Sequence, residues 1–179
     1  MAKDVFKEFV DQKVAEASAM PVDWEKEKNA WLNKLSQLHN QVISWLTPYI
    51  TSQSIQVGQE MVTLVEENIG NYQAPMTTIT IGNILVKLEP IGTLLIGARG
   101  RVDMKGPKGI ARLVIVPKES NGPSVRVEVI LPGQTPSPRA ELPPVSEWVW
   151  KLASSPPRIT YTDLTKESFL DALMGVANG

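Results

Sequence analysis

Two consecutive hairpins between Thr77 and Val116 constrain the fold more than any other part of the chain. In the first, Gly82-Asn83 separates two alternating apolar runs, and a two-residue loop of this composition suits a primed hairpin turn. The predicted pairs are Ile81 with Ile84, Ile79 with Val86 and Thr77 with Leu88 on one face, and Thr80 with Leu85 and Thr78 with Lys87 on the other. The ribbon therefore has one largely apolar face, as a half-buried antiparallel sheet requires.

The second hairpin closes through Gly106-Pro107-Lys108-Gly109. The predicted pairs are Lys105 with Ile110, Met104 with Ala111, Asp103 with Arg112, and Val102 with Leu113. The alternation predicts a core face (Leu94, Ile96, Ala98, Val102, Met104, Ala111, Leu113 and Ile115) and an outward charged face (Arg99, Arg101, Asp103, Lys105 and Arg112). A slip of one residue would exchange the two sets, which supports this register. Gly97 and Gly100, just before the hairpin, indicate β-bulges or a close approach by another element.

Two helices are predicted before the sheet. The first begins at Asp4, runs to about residue 19 and is ended by Pro21. Asp23 caps the second, which is expected to reach residue 45 or 46 before Pro48.

The second helix carries an apolar seam at alternating spacings of three and four residues. The seam consists of Trp24, Lys28, Trp31, Leu35, Leu38, Val42, Trp45 and Tyr49. We expect it to pack against the first helix and the sheet. A seam left partly open would instead favour a partner or a second copy of the chain.

Further strands are predicted on both sides of the two hairpins. Alternating β-branched residues favour short strands between residues 51 and 72, and another strand from Val125 to Leu131. The proline-rich segment from 132 to 144 reads as a loop, after which Trp148 to Leu152 returns to the sheet and residues 158–162 add an extended piece. Thr165 caps a final helix that is expected to end at Gly175.

These elements predict a single α+β domain over residues 1–179. A helical hairpin occupies residues 1–50, an antiparallel β-meander 51–131, a proline-rich loop 132–145, and a returning strand with the C-terminal helix 146–179. The sheet is expected to have about five to seven strands, with the helices packed on one face.

Composition restricts the possible functions. Eighteen basic and nineteen acidic residues give a net charge of −1, so the whole molecule has no electrostatic preference for nucleic acid or anionic membranes. The chain has no cysteine and one histidine, His39, which excludes disulfides, thiolate nucleophiles and cysteine-ligated metals. Charged residues interrupt the N-terminal segment, and no run reaches the ~20 apolar residues of a membrane span. We expect a soluble cytoplasmic protein without a membrane partner.

No pattern of residues indicates catalysis or a cofactor. The glycines between residues 92 and 109 are flanked by strands on both sides, whereas a phosphate-binding loop needs a strand-to-helix junction. His39 is placed at the rim of the helical seam, and no nucleophile signature accompanies it. We expect no catalytic residue, no cofactor and no metal, so an enzyme is disfavoured.

Two candidate sites follow from the predicted register. The first is an interaction surface on the outward sheet face, made of Arg99, Arg101, Lys105, Lys108, Arg112 and Val114. Its cations are suited to phosphates or an acidic protein surface, although they are also compatible with a solvated face on which Asp103 and Arg112 pair across the strands. The second is a pocket beside Trp148 and Trp150, whose side chains share one strand face. The alternative is that the two indoles fill the space between sheet and helix.

The leading hypothesis is a non-enzymatic protein-binding module that docks a protein partner or a second copy through the tryptophan seam, the basic face or both. The outward face is predicted to mix Arg99 and Arg101 with Val114, Val116 and Ile130, and such a mixture is typical of interfaces. The alternatives are binding of nucleic acid or another anion through the basic hairpin face, and a small-molecule binder or enzyme with a pocket near Trp148 and Trp150. Nucleic acid is not favoured, because no aromatic residue is interleaved with the cations.

Overall fold

A computed structural model describes residues 5–11, 14, 23–93, 98–123 and 147–179. Within this part, a seven-stranded antiparallel sheet has its strands in sequence order, so that each strand pairs with its neighbours in the chain. The strands are β1 (Ile55–Glu66), β2 (Gly70–Ile81), β3 (Ile84–Gly92), β4 (Arg101–Gly106), β5 (Gly109–Pro117), β6 (Trp148–Ala153) and β7 (Tyr161–Asp163). Residues 5–11 are helical (α1) and are followed by α2 (Trp24–Thr51) and, after the sheet, by α3 (Lys166–Asn178). The predicted α+β meander is confirmed.

Both predicted hairpin registers are confirmed pair by pair. The β2–β3 ladder runs from Thr77 opposite Leu88 to Ile81 opposite Ile84. The β4–β5 ladder places Asp103 opposite Arg112 and Val102 opposite Leu113. Strand structure is also confirmed between residues 51 and 72, but β1 is one continuous strand of 12 residues in place of the predicted short strands.

Helices α2 and α3 cover one face of the sheet. Helix α2 supplies four members of the seam, Trp31, Leu35, Leu38 and Val42, and the neighbouring Leu46 to the core, all nearly inaccessible to solvent. Phe169 of α3 is fully buried, and its ring centroid lies 5.3 Å from that of Trp45. The seam therefore packs on the sheet, and its four central members are unavailable to a partner.

The ends of both long helices differ from the sequence prediction. Helix α2 continues through Pro48 to Thr51, because a proline lacks only its own N–H and the last turn is closed by a hydrogen bond from Ser52 N to Pro48 O. Helix α3 starts at the predicted cap, where Thr165 Oγ1 accepts from Ser168 N at 3.2 Å. It continues past Gly175 because Val176 and Ala177 are buried against the sheet, and this packing outweighs the weak helix preference of glycine.

A β-bulge reverses the facing of the residues before β4. Arg99 N donates to Ile115 O and Ile115 N donates to Gly100 O, so two residues oppose one. The reversal places Ala98 among the residues of the opposite face and turns Arg99 toward α2. The predicted outward position of Arg99 and the predicted face of Ala98 are therefore wrong, although Ala98 is buried, and the predicted bulge at Gly100 is confirmed.

Some predictions fall outside the described residues. These are the core positions of Leu94 and Ile96, the strand from Val125 to Leu131, and the proline-rich loop. The described apolar side chains of α1, Val5, Phe6 and Phe9 among them, are exposed. In the described part of the chain, no helix is long and apolar enough to cross a membrane.

Candidate ligand-binding site

The strand register aligns two rows of side chains on the sheet face that points away from α2 and α3, which we call the outer face. One row is Asp103, Arg112, Ala153 and Tyr161, and the other is Arg101, Val114, Lys151 and Asp163. Ala153 is the smallest member of either row. It leaves space between the larger side chains of Arg112 and Tyr161, to which it is paired on either side.

The residues between β6 and β7 form a compact loop that lies above this space. Ser154 N donates to Thr160 O at 2.9 Å, and Thr160 N donates back to Ser154 Oγ at 2.8 Å. The Ser154 hydroxyl in turn donates to Arg158 O at 3.0 Å. These bonds hold Pro156 and Ile159 above the sheet as one wall of a cavity.

The turn that follows β5 forms another wall. Tyr161 N donates to Asn121 O at 2.9 Å, and the buried ammonium of Lys151 donates to Ser120 O at 3.0 Å. Gly122 lies so close to Ile159 O that a Cβ would stand 3.2 Å from it. The turn and the β6–β7 loop therefore pack directly on each other, which positions Pro123 beside the cavity.

The resulting cavity, which we call the outer-face pocket, has a volume of about 420 Å³. Its described lining is mostly apolar and includes two arginines: Ala98, Arg101, Arg112, Val114, Pro123, Ala153, Ser154, Pro156, Ile159 and Tyr161. The volume lies within the ~300–1,000 Å³ typical of small-molecule sites.

The two arginines of the pocket have different surroundings. Arg101 binds Asp103 through two parallel hydrogen bonds, from Nε to Oδ1 at 2.7 Å and from Nη2 to Oδ2 at 2.8 Å. Arg112 lies directly opposite Asp103 on the neighbouring strand, but its Nε is buried and has no hydrogen-bond partner in the described structure. The cross-strand pair that the sequence suggested is thus replaced by a pair within β4.

The pocket is poorly equipped for acid–base chemistry. Its described lining contains no imidazole and no carboxylate, and the Ser154 hydroxyl is already engaged with the loop backbone. The hydroxyl of Tyr161 is protonated at neutral pH, as in any tyrosine, and can donate a hydrogen bond; burial raises its pKa further. Nowhere among the described residues do three histidine, aspartate or glutamate side chains come together as metal ligands.

The predicted basic surface is divided among several environments. Arg99 pairs with Glu27 of α2 at 2.7 Å and lies over the Trp148 ring, 5.3 Å from its centroid. Lys105 pairs with Glu89 of β3, while Lys108 is exposed in the β4–β5 turn. Carboxylates therefore offset three of the five cations, since Arg101 also has Asp103. Arg101, Arg112 and Val114 are brought together in the outer-face pocket; Arg99, Lys105 and Lys108 are not part of its lining.

The predicted tryptophan pocket is filled by the core. Trp148 is 4 % exposed, and Trp150 lies 6.1 Å from the Trp31 ring while its Nε1 donates to Lys34 O. The crevice next to Trp31, between α2 and β5, has a volume of only about 10 Å³, enough for one water molecule. His39 lies at the rim as expected, 2.9 Å from Thr77 Oγ1, and its burial lowers its pKa.

Several lining residues were not predicted, among them Ala98, Pro123, Ala153, Ile159 and Tyr161. The only local signal was Ser154-Ser155-Pro156-Pro157, a composition typical of a loop, directly after a strand that ends in a small residue. Comparisons with protein-family models, with curated proteins and with solved structures gave no match. The candidate site therefore rests on the geometry of this chain.

Proposed function

We propose that this protein is a non-enzymatic binding module and that the outer-face pocket binds a small-molecule ligand. The observation that carries the proposal is a cavity of about 420 Å³ that combines a mostly apolar lining with two arginines. Small-molecule sites have this combination, because apolar walls supply affinity and a few polar groups fix orientation. The lack of an acid–base pair in the described lining favours binding over catalysis. A cytoplasmic location is also part of the proposal.

The test is a screen by nuclear magnetic resonance. A compound panel is added to isotope-labelled protein, and the amide shifts of Val114, Ala153 and Tyr161 report occupancy of the pocket. Ala153→Leu fills the floor of the cavity, whereas Thr162→Leu adds a leucine at an exposed neighbouring position of β7 and serves as the control. We expect compounds that shift the pocket amides in the parent and in the control variant, and that lose binding in Ala153→Leu.

Three results would overturn the proposal. The first is a panel that leaves the pocket amides unshifted, and the second is a set of compounds that bind Ala153→Leu as tightly as the parent. The third concerns the protein-binding module predicted from the sequence, whose surface residues Arg101, Arg112 and Val114 line this pocket. If Arg101→Glu and Val114→Asp release a stoichiometric protein from affinity capture, and no small molecule competes with it, the pocket is a protein interface.

A further inference from the structure

The buried Nε of Arg112 indicates which chemical group a ligand brings to the outer-face pocket. An arginine N–H that is removed from water and lacks an acceptor is costly, and such groups are rare in folded proteins. Arg112 also lines the cavity, so an acceptor within the cavity can contact this residue, although the Nε atom itself is closed to solvent. We propose that the ligand is a monocarboxylate with a compact apolar body, and that Arg112 binds its carboxylate. The inference rests on the proposed function and specifies its ligand.

Asp103 does not satisfy Arg112, although it lies opposite on the next strand. Both of its carboxylate oxygens accept hydrogen bonds from Arg101, in the side-on fork that arginine forms with carboxylates. Turning the Asp103 carboxylate toward Arg112 would break this fork, and because Asp103 is buried, water could not replace the lost hydrogen bonds. A second carboxylate, supplied by the ligand, can form a charge-assisted pair with the guanidinium of Arg112.

The charges select an anion with one negative charge. Arg101 and Asp103 offset each other, and the described lining holds no acidic residue, so Arg112 leaves the pocket with one uncompensated positive charge. A monoanion neutralises that charge. A dianion would retain one negative charge without a partner at a partly desolvated site, which is unfavourable.

The rest of the lining specifies the body of the ligand. Val114, Ala153, Pro123, Pro156 and Ile159 offer apolar surface. The Ser154 hydroxyl is already occupied by the loop backbone, which leaves Tyr161 as the hydroxyl donor available to a ligand. The walls thus favour a ring or a short branched chain over a sugar or another polyol.

Three probes that share one aromatic ring separate these requirements: benzoate, its neutral amide benzamide, and the dianion phthalate. Titrations followed on the pocket amides give a dissociation constant for each. We expect benzoate to bind about tenfold or more tightly than benzamide, because the bond to Arg112 is charge-assisted. We expect phthalate to bind about tenfold more weakly than benzoate.

Substitutions of two cations, Arg112 and Lys108, test whether the preference for benzoate over benzamide depends on Arg112. Arg112→Gln should weaken benzoate by about tenfold or more and leave benzamide nearly unchanged, and Arg112→Lys should recover part of the loss. Lys108→Gln removes an exposed cation of the neighbouring turn and should change neither. Asp103→Asn removes the charge that offsets Arg101 and so adds one positive charge to the pocket. Phthalate should then bind more tightly than benzoate. This variant provides the test if the Arg112 variants fail to fold.

The outcomes distinguish this inference from the function on which it rests. Benzamide binding as tightly as benzoate, an Arg112→Gln protein with unchanged affinity for benzoate, or an Asp103→Asn protein with the parental ranking would each overturn the carboxylate assignment. Neutral compounds that still shift the pocket amides would leave the pocket as a ligand site. If neither the probes nor the wider panel shift those amides, the proposed function falls with the inference.

Discussion

Gly100 lies against the indole ring of Trp31: a Cβ on the glycine would stand 2.5 Å from Cζ3 and 2.7 Å from Cε3 of the ring, and 3.0 Å from Ile115 Cδ1. Trp31 is 2 % exposed and is enclosed by α2, β5 and β6, so the ring has little room to move. The contact connects the bulge before β4 to the helix that covers the sheet.

We therefore expect Gly100→Ala to lower the free energy of unfolding by about 1–3 kcal/mol through overpacking. The matched control is Gly175→Ala, because a Cβ at that position of α3 meets nothing within 4 Å. It should raise stability by about 0.5–1 kcal/mol, as alanine is the better helix former. Urea denaturation measures both, and equal effects of the two substitutions would contradict the packing described at Trp31.

A second prediction concerns the buried carboxylate of Glu66. It accepts hydrogen bonds from the Tyr72 hydroxyl, from Thr93 N at 3.0 Å and from Thr93 Oγ1 at 2.6 Å, and so connects the β1–β2 hairpin to the end of β3. Tyr72→Phe removes one donor and leaves the carboxylate incompletely paired, which should cost about 1–3 kcal/mol. Tyr49→Phe, at an exposed tyrosine, should cost less than about 0.5 kcal/mol. Chemical denaturation of both variants makes the comparison.

The same tyrosine makes stability depend on pH in the alkaline range. Burial, together with the hydrogen bond to Glu66 and the negative charge of Glu66, raises the pKa of Tyr72, and the indole of Trp31 acts in the opposite direction. The unfolded chain loses this proton near pH 10. Since the folded-state pKa is the higher one, the stabilisation is complete below pH 10 and declines as pH rises above it, by up to about 1.4 kcal/mol per pH unit.

Unfolding free energies between pH 8 and pH 11 test this dependence. Tyr72→Phe should flatten the decline, whereas Tyr49→Phe should retain it. A parallel decline in the parent and in Tyr72→Phe would assign the alkaline sensitivity to other groups.

Lys151 and Asp163 form an ion pair, and we expect loss of Asp163 to destabilise the protein more than loss of Lys151. The Lys151 side chain is 4 % exposed and that of Asp163 is 77 % exposed, with 3.0 Å between Nζ and Oδ1. Asp163→Asn leaves a buried ammonium whose one strong acceptor among the described residues is Ser120 O, and we expect a cost of about 1–3 kcal/mol. Lys151→Met leaves a carboxylate that water can solvate, and should cost less than about 1 kcal/mol. Thermal melts of both variants determine the order, and a larger loss for Lys151→Met would contradict this account of burial.

The hairpins could be predicted from sequence because their information is local. Gly82-Asn83 determines a loop length, and strict alternation then determines which side chains share a face, as the observed pairing of Ile79 with Val86 illustrates. The same alternation was wrong at Arg99, because a bulge changes the count by one residue and its effect on facing depends on a hydrogen bond with Ile115. Helix ends were also missed, since a hydrogen bond from Ser52 N to Pro48 O closes a further turn of α2, and burial of Val176 outweighs the local signal of Gly175.

The candidate site could be predicted only in part. Arg101, Arg112 and Val114 were identified because they occupy neighbouring positions of one hairpin. The walls of the cavity above them include Pro123 and Ile159, which belong to other segments of the chain. Its depth depends on the small side chain of Ala153, and the position of Ala153 opposite Arg112 is known only once β6 is paired with β5. Likewise, the carboxylates that neutralise Arg99 and Lys105 come from α2 and β3, and no spacing within the hairpin indicates them.

The hydrogen bond from Lys34 to Trp148 O connects positions 114 residues apart, and it bears on how the chain emerges from the ribosome. At 5–20 residues per second, synthesis of that interval takes roughly 6–23 s. The hairpins form within microseconds once they are exposed, so most of the sheet can be present while the indole of Trp31 still lacks Trp150. During those seconds the seam on α2 is an apolar surface on a nascent chain, and this is the period in which a chaperone could bind it.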